Sequence, residues 1–435
     1  MAKVLVSFLG TGPYSKAKYC WKERTERIVE VEFAQTAILK FLEEQTVADE
    51  PVDRVIFFCT EKSSKQLPKM EKEMRLQLQT IPDPFPQGLL VPEDMTAANQ
   101  WGWFEQLLEN IDHGDTLIID FTHGFRSVPI VFSSAIGFLR KAKDIKLAHA
   151  LYAWWDRDKP DKEHPIIDMR DFYVIDDWAE AVSRLADEAD ARKLGDLAKT
   201  TGVQALQPLA DGNLIKAFEE MTDCIRNVDV NNIGRKVSAA LERVEQARNQ
   251  VAGSARVMLD LVWKKFSALA TGYPPSGRYD VAYFQSQLEI IRVLHEHRLF
   301  MQAFTAMREM VGSIGMVGLS GKYSKRMSCG DGRKYRRFAE VFVNMMQYAP
   351  DDWRFNDQAA TDKETLLPWF ETLQSVEVEP QLRRIVRPLV DTRNGFDHAW
   401  TAKAGAQTDI EEKGQDYLSV LKTIVAQLAE LRLIA

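Results

Sequence analysis

The chain has 435 residues, 45% of them hydrophobic and 27% charged, with a formal net charge of −7. That length suits two or three domains, each with its own core, and the acidic total excludes a whole-surface grip on nucleic acid, so any RNA contact must be local. Cys20, Cys59, Cys224 and Cys329 stand far apart without metal-type pairing and read as reduced thiols; no apolar run reaches membrane-span length and MAKVLVSFLG reads as a strand rather than a signal peptide, so a cytoplasmic protein is expected.

The first 175 residues or so alternate short apolar runs with helical patterns. KVLVSFLG is a strand of the buried type, GTGPYSKAKYCWKERT a loop, and RIVEVE a second extended piece. FAQTAILKFLEEQ follows as an amphipathic helix, then DRVIFFCT as a strand ending at Thr60. Residues 65–78 are helical, GLLVP is a short strand and 96–111 a helix. DTLIIDFTHG is a strand running into a turn, 128–142 a helix, and KLAHALYAW and IIDMRDFYVI complete the strand set. Apolar strands alternating with helices predict an α/β domain with a parallel-rich sheet covered on both faces.

Past Asp176 the strand patterns stop. WAEAVSRLADEADARKLGDLA is helical, and Gly202 to Pro208 makes a break. LIKAFEEMTDCI, GRKVSAALERVEQARNQVAG, SARVMLDLVWKKFSALA, DVAYFQSQLEIIRVLHEHRLFMQAFTAMREMVGSI and DYLSVLKTIVAQLAELRL all carry helical periodicity. The expected organisation is an α/β domain over 1–178, a helical linker over 179–202 and an all-α domain over 203–435. Residues 322–337, KYSKRMSCGDGRKYRR, hold seven Lys or Arg against one Asp. This stretch reads either as a solvated loop or as a surface tracking phosphates of single-stranded RNA, with Tyr323 and Tyr335 as stacking platforms.

Two loops follow strand C-termini, where open α/β sheets bind ligands. In the first, Gly10-Thr11-Gly12-Pro13, the glycines admit a phosphate or base close to the backbone and Thr11 can hydrogen-bond it. Position 15 is Ser, so the third glycine of the dinucleotide fingerprint is missing and a nicotinamide cofactor is disfavoured. The second loop, Asp120-Phe121-Thr122-His123-Gly124-Phe125-Arg126-Ser127, sets a carboxylate, a hydroxyl, an imidazole and a guanidinium at one strand-to-helix junction, which offers N–H groups to an anion. Asp120 could instead orient a neighbour, and Thr122 or Ser127 could cap the helix. The pattern Asp-x-Thr-His-Gly has chance odds of roughly one in a thousand here.

Residues 391–398 read DTRNGFDH. Arg393 can hold a phosphate through a two-pronged contact, Asn394 adds an amide, and His398 can take or give a proton, which is the equipment of metal-free RNA cleavage. The spacing alone is common. About 0.5 such Arg-to-His pairs arise by chance in this composition, and a second, Arg292 with His297, does occur. Gly395 is expected to loosen the first pair's segment, and Pro388 to mark a helix start just upstream. The second pair lies in an unbroken periodic stretch, where His297 reads as a cap or a solvated side chain near a helix end.

DFTHG after an apolar strand resembles the Asp-x-Thr-His-Gly signature of CRISPR-associated proteins with a CARF domain, a Rossmann-like sensor. TRNGFDH resembles the HEPN ribonuclease motif, and FMQAFTAMREMVGS the helix that these proteins carry before it. Together, in chain order, they resemble the type III CRISPR ancillary ribonucleases activated by cyclic oligoadenylate. The loop over Gly321–Arg337 has no place in that pattern. The resemblance implies an N-terminal CARF-like sensor and a C-terminal HEPN-like ribonuclease domain. It assigns Arg393, Asn394 and His398 to cleavage of single-stranded RNA, and Gly10, Thr11, Gly12, Thr122, His123 and Gly124 to the activator pocket, with Asp120 and Arg126 beside them. It also implies cyclic tetra- or hexa-adenylate as activator, no catalytic cofactor or metal, and a homodimer or multiple of dimers in which two chains pool their Arg and His. Two other readings stay open: a sensor without nuclease activity, and a sheet domain that itself cuts the activator through Thr11, Thr122 or His123.

Overall fold

The computed structural model describes the chain apart from residues 24–25, 44–51, 82–83, 95, 157–158, 160, 201, 230–231, 271–277, 326–331, 402–408 and 435. It divides into two compact units, Met1–Val174 and Ile175–Ala435. The first runs β1 (Lys3–Phe8), β2 (Ala17–Cys20), β3 (Ile28–Val31), α1 (Ala34–Glu43), β4 (Arg54–Cys59), α2 (Glu61–Ser64), α3 (Leu67–Gln77), β5 (Leu89–Leu90), α4 (Ala97–Asn110), β6 (Thr116–Asp120), α5 (Val128–Ala142), β7 (Lys146–Ala153) and β8 (Glu163–Asp168).

The eight strands form one sheet in the order β3-β2-β8-β7-β6-β1-β4-β5. β1 pairs in parallel with β4 and β6, β4 with β5, β6 with β7, and β2 with β8; β2–β3 and β7–β8 are antiparallel. Central strands covered on both faces need apolar side chains in both alternating sets, which KVLVSF and RVIFFC supply. On one face Leu5, Phe57 and Ile118 pack with Phe33, Ile38 and Phe41 from α1 and its approach and with Met70 and Met74 of α3. On the other, Val4, Val6 and Ile119 pack with Trp103 and Leu107 of α4 and Phe132 and Ile136 of α5.

Two elements differ from expectation. AKYC, read as loop, is β2, held between β3 and β8. IIDMRDFYVI, read as a strand throughout, leaves the sheet at Asp168, whose carboxylate accepts the N–H groups of Ala150 at 3.1 Å and Arg170 at 3.0 Å. These bonds end the ladder, and α6 (Arg170–Glu188) starts with the helically spaced residues that follow. The division between the units falls inside α6, and residues 179–202 hold the rest of α6 and α7 (Arg192–Thr200), with Val182, Leu185 and Leu194 buried.

The second unit continues with α8 (Gly212–Arg226), α9 (Ile233–Arg248), α10 (Gly253–Ala270), α11 (Val281–Glu296), α12 (Phe300–Val317), α13 (Gly332–Tyr335), α14 (Arg337–Gln347), α15 (Asp357–Ser375), α16 (Glu379–Asp397) and α17 (Ile410–Glu430), with short 3₁₀ turns between some of them. All its described regular elements are helical. The periodic stretch from Asp280 to Ile314 is broken rather than continuous: Arg298 takes a left-handed φ of 57° and the Leu299 N–H returns to the Leu294 carbonyl at 2.9 Å, ending α11. Pro388 does not start a helix. α16 begins at Glu379 with a proline in its first turn, where the missing N–H is no loss, and Pro388 lies inside.

α12 and its C-cap carry glycines at positions 312, 315 and 318. A Cβ on Gly312 would lie 2.9 Å from Ala339 Cβ, while one on Gly315 or Gly318 would overlap Phe342 or Trp369. The bare backbone therefore lets α14 and α15 come in close, and Trp369 Nε1 donates to the Ile314 carbonyl at 2.9 Å. Among the described residues, no helix is long and apolar enough to cross a membrane.

Candidate functional site

The loops after β1 and β6 meet at the carboxyl ends of the central strands. A Cβ on Gly10 would stand 3.2 Å from His123 Nδ1 and 3.2 Å from the Tyr14 hydroxyl oxygen. The Tyr14 hydroxyl accepts the Gly10 N–H at 2.8 Å and donates to the Gly10 carbonyl at 3.2 Å, tying the glycine loop into a ring. Tyr14 also meets the His123 ring edge-on, at 5.4 Å between centroids. Together they border a cleft of about 530 Å³ lined by the glycine loop, Tyr19, Glu32, Thr122, His123, Tyr152 and Trp155.

The second loop is held from below by Asp120. This carboxylate is fully buried and accepts from the Ser7 hydroxyl at 2.6 Å, the Thr122 N–H at 2.9 Å and the Thr122 hydroxyl. Gln35 extends the network, donating to the Ser7 hydroxyl at 3.1 Å and the Phe8 carbonyl at 2.9 Å. The Thr122 oxygen in turn accepts the Ala153 N–H at 2.9 Å, joining the loop to β7. A buried carboxylate has to be satisfied by such donors, and here they are the residues that shape the loop. Gly124 takes a φ of 122°, a left-handed value that only glycine adopts without strain. Burial lowers the pKa of His123, with Asp120 pulling the other way, so the imidazole beside the cleft is neutral at physiological pH.

The expected pocket residues are thus only partly brought together. Gly10, Gly12, Thr122 and His123 line the cleft. Asp120 lies beneath it as a support, and Thr11, Gly124 and Arg126 are exposed and outside its lining. Ser127 makes no side-chain cap on α5. Sequence reasoning missed the aromatic wall: Tyr14, Tyr19, Tyr152 and Trp155. Tyr14 and Trp155 follow the ends of β1 and β7, in GTGPY and AWW, whereas Tyr19 lies within β2 and Tyr152 within β7. Burial pushes the Tyr19 phenol up to about 12 and the Tyr14 phenol higher still, so both remain protonated donors. Glu32, also in the wall, pairs with Lys69. Among the described residues, the lining includes no lysine or arginine.

In the second unit, Arg393 and Asn394 lie in the last turns of α16 and His398 is its C-terminal cap, with its N–H on the Asn394 carbonyl at 3.0 Å. The His398 side chain is exposed. Arg393 pairs with Asp397 one turn on, and its Nη1 lies 3.4 Å from the Asn394 side-chain oxygen. Its Nε is buried, with no hydrogen-bond partner among the described residues. Gly395 does not loosen the segment: it stays helical, and the Trp400 ring packs where its side chain would be. Left-handed Ala399 and Trp400, with the Trp400 N–H on the Gly395 carbonyl at 2.8 Å, close the helix.

The rival pair is differently placed. Arg292 is held by Glu289 and Glu296 on its own helix. His297 is the C-cap of α11, as one of its two readings had it, but it is buried rather than solvated: it stacks on Phe266 at 5.8 Å, and neither ring nitrogen has a hydrogen-bond partner among the described residues. In the basic stretch, residues 326–331 lie outside the described residues. Of the remainder, Tyr323 and Tyr335 pack edge-on at 5.0 Å, while Arg336 binds Glu309 and Arg337 binds Asp362. Those two arginines are thus already paired within the unit.

No protein-family profile matches the chain. Over 123 residues, 27% of this chain, it is 23% identical to the CRISPR-associated protein MJ1674 of Methanocaldococcus jannaschii. The matched relative is a CRISPR-associated protein. The chain spans 19% of that relative's length. Csm6 of Enterococcus italicus, bound to cyclic hexa-2'-fluoro-hexa-dAMP, aligns at TM-score 0.44 and 13% identity over 99% of this chain and 95% of its own.

Proposed function

We propose that the chain is an ancillary endoribonuclease of type III CRISPR defence, switched on by cyclic oligoadenylate bound at the sheet unit and cutting single-stranded RNA with Arg393, Asn394 and His398. One observation carries this reading: the two glycine-bearing loops, far apart in sequence, meet at Gly10 and His123 to border one aromatic-walled cleft. Flat rings beside N–H-rich loops suit a ligand that alternates purine bases with phosphates. The partly exposed Arg393 guanidinium and the exposed His398, at the same end of α16, support the second half of the reading.

The reaction is internal transesterification. The RNA 2′-oxygen forms a bond to the adjacent phosphorus while the bond to the 5′-oxygen breaks, leaving a 2′,3′-cyclic phosphate and a 5′-hydroxyl. A base takes the proton of the 2′-hydroxyl and an acid returns one to the leaving oxygen. His398 serves in this transfer, worth about 10²- to 10⁴-fold in such steps. Arg393 stabilises charge on the phosphate and Asn394 positions it. A homodimer supplies a second His398 for the complementary proton, and the activator favours the arrangement in which the two chains pool their groups. No step in this scheme draws on a metal or cofactor. The test is RNA cleavage titrated with cyclic tetra- and hexa-adenylate. Cleavage that neither ring stimulates refutes the activation, and an undiminished His398→Ala variant refutes the site.

A further inference from the structure

The basic stretch over 322–337 leads into α14, and its contacts fix where it lies. Tyr323 packs edge-on against Tyr335 at 5.0 Å and against Phe338, in the first turn of α14, at 5.3 Å. Lys322 Nζ stands 5.1 Å from the centre of the Tyr323 ring and 6.0 Å from that of Tyr335, so one cation faces both rings. The two tyrosines are partly exposed, and Lys322, Lys325 and Lys334 are exposed. Arg336 and Arg337 are taken up by Glu309 and Asp362, whereas Lys322 and Lys325 have no carboxylate beside them among the described residues.

α12 ties this stretch to the end of α16. Phe396, between Asn394 and His398, packs on Phe304 of α12 at 6.0 Å between ring centres. Further along α12, Arg308 donates to Glu340 of α14 at 3.1 Å, and Glu309 accepts from Arg336 at 2.7 Å. From Phe304 to Glu309 the helix rises about 7.5 Å, and packed helices lie about 8–10 Å apart. The tyrosine pair at the start of α14 and the Arg393–His398 end of α16 are therefore neighbours across α12. A strand of a few nucleotides, at ~3.4 Å or more each, reaches from one to the other.

We propose that Lys322, Lys325, Lys334, Tyr323 and Tyr335 form a second contact surface for single-stranded RNA, which holds the strand beside the Arg393–His398 end of α16. The lysines meet phosphates and the rings meet unpaired bases, a combination that suits a single strand, whose bases are free to stack on protein. The chain as a whole carries −7, so a strand is drawn to such a local surface and not to the protein at large. The proposal rests on the ribonuclease reading above for its substrate.

The experiment measures binding of a labelled oligouridine single strand to the full chain by fluorescence anisotropy over a range of salt. A His398→Ala parent keeps the strand intact. Lys322→Gln/Lys325→Gln/Lys334→Gln should weaken binding about tenfold at low salt and reduce the salt slope by about 2, at ~0.7 per lost phosphate contact, with an unchanged melting temperature. Tyr335→Leu should weaken binding about five- to a hundredfold and leave the slope as it is. Lys216→Gln/Lys264→Gln/Lys422→Gln, an equal change of charge at other exposed lysines, should bind as the parent does. With His398 restored, the first triple variant should show a KM for RNA about tenfold higher and the wild-type kcat. Parent affinity in the first triple variant or in Tyr335→Leu, or an equal loss in the second triple variant, overturns the surface. If Arg393→Ala and His398→Ala both cut RNA as wild type does, the ribonuclease reading itself has failed, and the binding measurement still decides the surface on its own.

Discussion

The Cα of Gly10 faces the His123 ring so closely that a methyl group there would stand 3.2 Å from Nδ1. The contact joins two loops that are more than a hundred residues apart and makes the glycine a requirement of the cleft's shape. Gly10→Ala pushes the imidazole or Tyr14 aside. We expect it to weaken cyclic oligoadenylate binding about tenfold, in line with the ~1–3 kcal/mol cost of overpacking. Titration calorimetry with each ring size checks this, and unchanged affinity for both would detach the cleft from the activator.

Arg393→Ala and His398→Ala should each reduce RNA cleavage by about 10²- to 10⁴-fold without altering activator affinity. Arg292→Ala should cut at the wild-type rate, since Arg292 is held by Glu289 and Glu296. Loss of activity in Arg292→Ala with retention in His398→Ala would assign cleavage to the Arg292–His297 pair.

In the proposed mechanism, phosphate competes with Asp397 for the Arg393 guanidinium. Partly exposed pairs are worth ~0.2–1 kcal/mol, so Asp397→Asn in a His398→Ala background should tighten RNA binding about two- to fivefold. Fluorescence anisotropy with a labelled single strand reads this directly, and weaker binding would make Asp397 a support for Arg393 instead.

Burial is the main cause that lowers His297 to about 4. An unfolded histidine titrates near 6.5, at about that pH the unfolded chain gains a proton that the folded chain refuses, and the loss of stability is complete once the folded form titrates too. Stability from this site is therefore full above about 6.5 and falls by about 3 kcal/mol as the pH drops toward 4. His297→Phe, which keeps the stack on Phe266, should flatten urea-denaturation stability across that window.

Gly315→Ala places a methyl group inside the Phe342 ring. Parting α12 from α14 should cost about 1–3 kcal/mol or more, seen as a lower melting temperature.

Much of the architecture was legible because buried strands and amphipathic helices carry their own periodicity. KVLVSF, RVIFFC and TLIID read as covered strands, and they are. The end of β8 was not, because MRDFYVI is apolar enough for either state and only the bonds of Asp168 to Ala150 and Arg170 decide it. The break at Arg298 was hidden for a similar reason: no glycine or proline marks it. Gly395 and Pro388 misled in the other direction, since helix breakers are tolerated where a Trp400 ring or helical packing surrounds them.

For the proposed sites, the sequence offered the groups: glycines, Thr122 and His123 at strand ends, and a cation, an amide and an imidazole within DTRNGFDH. Local order along a chain sets which groups a short loop can offer, and one dimension suffices to read it. Which of those groups face a ligand is a matter of burial and direction. Only the folded chain turned Asp120 under the loop and set Tyr14, Tyr19, Tyr152 and Trp155 around the cleft. It also placed His297 against Phe266 and left His398 exposed, a difference between two equally spaced Arg–His pairs that spacing could not supply.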